Sequence, residues 1–117
     1  MALPVEKGRI AESGAERFLA RNGLEVIARN FRRRFGEIDL VAREQDMLVF
    51  VEVRKRSHQG FADGAESIDR RKRQRLLRTA EAYLQQTRWR GPVRFDVIVL
   101  DAYDRIEWLQ DAIQADP

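Results

Sequence analysis

The stretch GEIDLVAREQDMLVFVEVRKRS, residues 36–57, decides the reading of this chain. It contains two aliphatic runs, EIDLVA (37–42) and MLVFVEVR (47–54), joined by the short polar turn REQD. Each run predicts a strand, and the pair predicts an antiparallel hairpin. Each also carries a carboxylate among its aliphatics: Asp39 in the first and Glu52 in the second. A strand packed on a core is destabilised by a charge, so two such charges require a physical reason.

Side chains alternate across a strand. Strict alternation puts Ile38, Leu40 and Ala42 on one face, with Glu37, Asp39 and Val41 on the other. In the second strand Val49, Val51 and Val53 share a face, and Leu48, Phe50, Glu52 and Arg54 share the opposite one. Pairing the strands then lets Asp39 and Glu52 project together. Two close carboxylates raise each other's pKa unless a cation separates them. The chain has no cysteine, and its only histidine, His58, is in a polar loop. Oxygen ligands alone favour Mg²⁺ or Mn²⁺ over zinc. Arg54 lies two residues beyond Glu52 on the same face, roughly 7 Å along the strand. A cation there can hold a water or neutralise charge on a phosphodiester. A competing reading makes the four polar groups an exposed hairpin face with ordinary ion pairs.

The flanking sequence supplies the other elements. Residues 8–21 predict a helix with Ile10, Gly14, Phe18 and Leu19 on one face, ended by Asn22-Gly23. LEVIAR (24–29) predicts a short strand, with NFRRRFG as a basic loop or strand end closing on the turn residue Gly36. Residues 57–67 predict a loop. Ser67 is the expected cap of a helix over 68–86, whose stripe is Ile68, Leu76, Ala80, Tyr83 and Leu84. VRFDVIVL (93–100) predicts a strand buried on both faces. RIEW (105–108) predicts an edge strand, followed by a helical turn near LQDAI. The order is α-β-β-β-α-β in one domain over residues 1–117: a mixed central sheet with flanking helices.

The net charge is +3 over 117 residues, but it is unevenly spread. Residues 54–78 hold nine basic side chains against three acidic ones, whereas residues 101–117 hold five acids against Arg105 alone. A basic middle rich in arginine suits a polyanion, and nucleic acid is the expected partner. Arg32, Arg33 and Arg34, with Arg56, Arg70, Arg71, Lys72 and Arg73, are the candidate phosphate contacts. With no membrane-length apolar run, no signal-peptide pattern and no cysteine, the expectation is a cytoplasmic protein without a membrane partner. The oligomeric state is left open, a homodimer included.

GEIDLVA, LVFVEVRKRS, the spacing Ile68…Lys72…Leu76, the pair Tyr83-Leu84 and RFDVIVL together resemble the YraN family of small bacterial proteins. The opening helix and Arg29, Asn30 and Arg32 fit that family's RN-x-R signature. The resemblance covers about Gly8 to Ala112 and extends to the PD-(D/E)xK nuclease superfamily. It implies an αβββαβ restriction-endonuclease-like core and metal-dependent hydrolysis of phosphodiester bonds in DNA, including branched DNA as in Holliday-junction resolvases. The alternative is a catalytically weak or inactive nucleic-acid-binding module. Asp39 and Glu52 then correspond to the metal-binding acids, Glu12 to a first-helix acid that joins them, and Lys72 to a helix position near phosphate. Arg54 stands where the superfamily usually has lysine. Lysine can orient or deprotonate water, whereas arginine stays charged. Lys55 is directed to the opposite face and is no simple substitute.

Other candidates have simpler roles. His58 reads as a solvated loop residue, and Glu16 competes with Glu12 for the metal or pairs with an arginine. Asp96 reads as a structural ion pair with Arg94. Trp89 is the better base-stacking candidate and Trp108 the better packing one.

Overall fold

The computed structural model describes residues 4–56 and 69–113. Its elements are α1 (Pro4–Arg21), β1 (Glu25–Arg33), β2 (Gly36–Glu44), β3 (Met47–Lys55), α2 (Arg70–Thr87), β4 (Val93–Leu100) and β5 (Ile106–Leu109). The strands form a five-stranded sheet in the order β1-β2-β3-β4-β5. Only β3 and β4 run parallel, and α2 lies between them in sequence. A parallel pair requires such a crossover.

The helices cover opposite faces of the sheet. Along β3, Leu48 and Phe50 enter one core cluster with Leu76, Ala80 and Tyr83 of α2. The alternating Val49 and Val51 enter a second cluster with Ala15 and Leu19 of α1. β4 divides likewise, with Val97 and Val99 toward α2 and Ile98 and Leu100 toward α1. Phe50 and Tyr83 meet edge-on at 5.7 Å between ring centroids. Trp108 packs edge-on to Phe18 at 5.8 Å, the packing role expected of it.

The expected hairpin is present, with Leu40 opposite Val51 and Glu44 opposite Met47. Strict alternation fails at one point. Ile38 packs on the α2 side and Leu40 on the α1 side, although they are two residues apart. The break falls at Asp39. β2 leaves the backbone pairing with β3 beyond Leu40. The Asp39 carboxylate instead accepts the Val53 N–H at 2.8 Å. On β1, Asn30 has the left-handed φ of 52°. Such local irregularities re-aim side chains next to functional sites.

Several boundaries also differ from the expectations. Of the two readings of NFRRRFG, the strand end holds for NFRR, which extends β1 to Arg33. Pairing with Arg32↔Glu37 and Arg33↔Gly36 prevails over the polar composition. The α2 cap is Asp69, whose side chain accepts from the Lys72 N–H at 2.8 Å; Ser67, Ile68 and His58 lie outside the described residues. Around LQDAI the described chain makes a turn through Asp111, at φ 52°, not a helical turn. Ile10 is exposed, and α1 buries Ala15 and Leu19. Gly23 has the left-handed φ of 88°, as its capping role requires. Gly36 serves close approach: a Cβ there would be 2.6 Å from Thr79 Oγ1 and 3.2 Å from the Arg75 carbonyl of α2.

Candidate functional site

β2, β3 and the first turn of α2 enclose Asp39, Glu52 and Lys72. Asp39 and Glu52 line two adjoining cavities, of about 420 and 450 Å³, and a side-chain hydrogen bond joins them. Glu52 is a buried charged residue in an otherwise aliphatic strand. Burial first, then the charge of Glu52, pushes the Asp39 carboxyl up to about 8, against the opposing Val53 N–H, with Glu12 and Glu37 adding further repulsion. Burial also raises the Glu52 pKa, opposed mainly by Lys72 and then by Arg54. Two such acids left to share a proton are a strained substitute for two acids that share a cation.

Two cations reach this pair. Lys72 Nζ stands 3.3 Å from Glu52 Oε1, held there by the Asp69 cap that fixes the first turn of α2. Arg54 Nη1 stands 3.9 Å from the same oxygen, as the strand spacing predicts. Glu12 lines the second cavity with Asp39, Glu52, Arg54 and Lys55. Its Oε1 accepts from Asn30 Nδ2 at 2.9 Å, and the same amide donates to Glu37 Oε1 at 3.0 Å. Asn30 therefore holds two carboxylates that repel Asp39. Among the described residues, no three His, Asp or Glu side chains converge as a metal cluster. What converges is the pair Asp39–Glu52. A two-carboxylate oxygen site suits Mg²⁺ or Mn²⁺, which typically keeps waters and takes further ligands from a phosphate.

The remaining candidates divide by position. Arg32, Arg33 and Arg34 meet Arg71 and Arg75 around an open groove of about 600 Å³ beside Glu37. Within it Arg32 pairs with Glu37 at 3.2 Å, and Arg33 lies 4.2 Å over the Phe31 ring. Arg56 points elsewhere and pairs with Glu107 at 3.0 Å. Arg70 and Arg71 are exposed, whereas Lys72 and Arg73 are half-buried, so the four basic residues at the start of α2 do not form one surface. Arg75 closes the basic stretch 70–75 that was expected to grip phosphates, and it lines the open groove. Its signal in the sequence is its position four residues after Arg71, on the same helix face.

Three other residues have structural roles. Glu16 pairs with Arg29, which draws its pKa down. Asp96 is fully buried and accepts from Arg94, from Trp108 Nε1 and from the Asp111 N–H, each at 2.9 Å. Trp89 is half-buried against the α2-side core and donates to the Pro92 carbonyl at 3.2 Å, so it is not a free stacking platform.

The fold and the paired carboxylates define a mixed α/β protein whose sheet and helices are compatible with a restriction-endonuclease-like core. Residues 11–100 match the model of the uncharacterised protein family UPF0102, and the chain belongs to that family. A UPF0102 protein of Methylobacillus flagellatus is 54% identical over 110 residues, covering 92% of this chain and 96% of that one. UPF0102 proteins of Halorhodospira halophila and Pseudomonas paraeruginosa are each 47% identical, covering 95% and 94% of this chain and 89% and 94% of theirs.

Proposed function

We propose that this protein is a metal-dependent, endonuclease-like enzyme that hydrolyses phosphodiester bonds in nucleic acid, DNA foremost, with branched DNA among its substrates. The resemblance to the YraN family and the PD-(D/E)xK superfamily supports this reading. The observation that carries it is the pairing of half-buried Asp39 with buried Glu52, which opens to the surface between cationic side chains.

Asp39 and Glu52 would hold Mg²⁺ or Mn²⁺, with Glu12 as the third carboxylate of the cavity. The ion, when bound, would neutralise the pair, activate water and offset charge on the phosphodiester. The Val53 N–H orients Asp39. Arg54 and Lys72 keep positive charge beside Glu52, where an anionic transition state would develop. Arg54 stays protonated and so stabilises charge without accepting a proton.

A second reading, a binding module without turnover, draws on two features: Arg54 stands where the resemblance expects lysine, and Glu12 is hydrogen-bonded to Asn30. The test is cleavage of branched, flapped and single-stranded DNA and of RNA, scanned across metals. Weak cleavage favoured by Mn²⁺ is expected, because Mg²⁺ demands a near-ideal octahedron. Asp39→Asn and Glu52→Gln should abolish it, and Arg54→Lys should preserve or raise it. If no substrate is cut above the Asp39→Asn background, and Arg54→Lys restores nothing, the enzymatic reading falls and the binding module stands.

A further inference from the structure

The groove beside Arg34, Arg71 and Arg75 does not end at the acidic pair. It shares Gly36, Glu37 and Arg75 with the first cavity at Asp39 and Glu52. That cavity shares Asp39, Glu52 and Lys72 with the second. The second shares Ala11 and Lys55 with a further cavity of about 410 Å³ under α1. This last cavity has an apolar floor that includes Gly14, Leu100 and Ile106. Its rim carries Arg17, Arg21 and Lys55, all exposed, opposed by the carboxylate of Asp104. Four cavities thus adjoin one another, with the carboxylates in the middle and cations at both ends.

The two ends lie on opposite faces of the sheet. Arg71 and Arg75 belong to α2, and Arg17 and Arg21 to α1, and the two helices pack on the alternating faces of β3. A ligand that contacts both ends must turn around the sheet at Asp39 and Glu52. The molecule measures 40 × 31 × 25 Å. Duplex DNA bends smoothly only over lengths on the order of 500 Å, so it cannot follow that turn without a sharp, costly kink. A single strand can, and grooves that carry single strands combine cations along the backbone with apolar surface.

We infer that the site is threaded by one unpaired nucleic-acid strand, gripped on one side of the acidic pair by Arg34, Arg71 and Arg75 and on the other by Arg17, Arg21 and Lys55. This rests on the proposed action on nucleic acid and narrows it. The group presented to Asp39 and Glu52 is an internal phosphodiester with strand on both sides, as in a flap, a loop or an open junction arm. The second cationic arm, under α1, is a contact that the charge distribution along the sequence does not reveal.

The test is fluorescence anisotropy in EDTA, with labelled 16-nucleotide single-stranded DNA and RNA and a 20-base-pair duplex. The proteins are wild type, Arg17→Ala/Arg21→Ala/Lys55→Ala and Arg34→Ala/Arg71→Ala/Arg75→Ala. Wild type should bind the single strands about ten-fold or more tighter than the duplex, and each triple variant should lose about ten-fold or more on them. Comparing the DNA and RNA strands identifies which sugar the path accepts, and the loss on either supports the path. Arg17→Lys/Arg21→Lys keeps the charge and should stay within about three-fold of wild type, which separates lost contact from lost fold. If the α1-side triple binds like wild type while the α2-side triple is weakened, the threaded path is wrong and the proposed function survives. Tighter binding of the duplex overturns the single-strand assignment. If wild type binds none of the probes, the proposed action on nucleic acid falls as well.

Discussion

At the scale of single residues, Asp39 concentrates the cost of the site. An unfolded aspartate titrates near pH 3.9, whereas burial and the neighbouring acids hold folded Asp39 near 8. Between those values the folded chain binds more protons than the unfolded one. Stability is therefore full below about pH 4 and is lost as pH rises through about 8. Asp39→Asn keeps an acceptor for the Val53 N–H but cannot ionise. In metal-free buffer its urea-unfolding stability should fall markedly less from pH 5 to pH 8 than that of wild type, which loses roughly a few kcal/mol; the slope that remains belongs to buried Glu52. Equal slopes in the two proteins would remove Asp39 as the source. The same residue gives a metal test that needs no turnover. At pH 8, Mn²⁺ at about 100 times its Kd should stabilise wild type by about 2.7 kcal/mol. Asp39→Asn should gain much less, read from the same urea curves.

At the scale of elements, most of the architecture was readable because its signals are local. β4 falls at Val93–Leu100, the expected residues, because an aliphatic run bounded by Gly91-Pro92 leaves little choice. Asp39 and Glu52 stood out because a carboxylate in an aliphatic strand conflicts with its surroundings. The end of β1 was only half readable, as loop or strand end, because NFRR owes its strand conformation to its pairing with β2 rather than to its composition. The break at Asp39 was hidden for a related reason: a side chain takes the place of a backbone partner, and no periodicity records that. Asn30 carried only a faint signal, a residue tolerant of left-handed backbone inside a strand, and its link to Glu12 and Glu37 exists only after folding. Gly36 was read as a turn residue, but its tight fit against α2 gives a sharper expectation. Gly36→Ala should destabilise the fold by about 1–3 kcal/mol through overpacking against Thr79 and the Arg75 carbonyl. Gly36→Ala combined with Thr79→Ser, which keeps the offending hydroxyl, should recover little of that loss. A thermal midpoint equal to wild type for Gly36→Ala would show that α2 can move away from the turn.

At the scale of the whole molecule, the fold joins an acidic centre to a basic periphery. No described helix is long and apolar enough to cross a membrane, and exposed Arg17, Arg21, Arg34, Lys55, Arg71 and Arg75 lie around the cavities that meet at Asp39 and Glu52. Like charges gathered on one body repel one another, and a bound polyanion relieves that repulsion while releasing its own counterions. The count of cations sets the expected salt dependence. Arg34, Arg71 and Arg75 with Arg17, Arg21 and Lys55 amount to about six phosphate contacts on a single strand, each contributing about −0.7 to the slope of log K against log salt. Wild type should therefore show a slope near −4. Removing either set of three should bring it to about −2, and removing both should bring it close to zero. Arg32 and Arg56 already face Glu37 and Glu107, so replacing them should change the slope by less than one unit between them. Titrations at four or more salt concentrations decide this. A slope that falls as much for the Arg32 and Arg56 variants as for the exposed sets would mean that total charge, and not its arrangement around the acidic pair, governs binding.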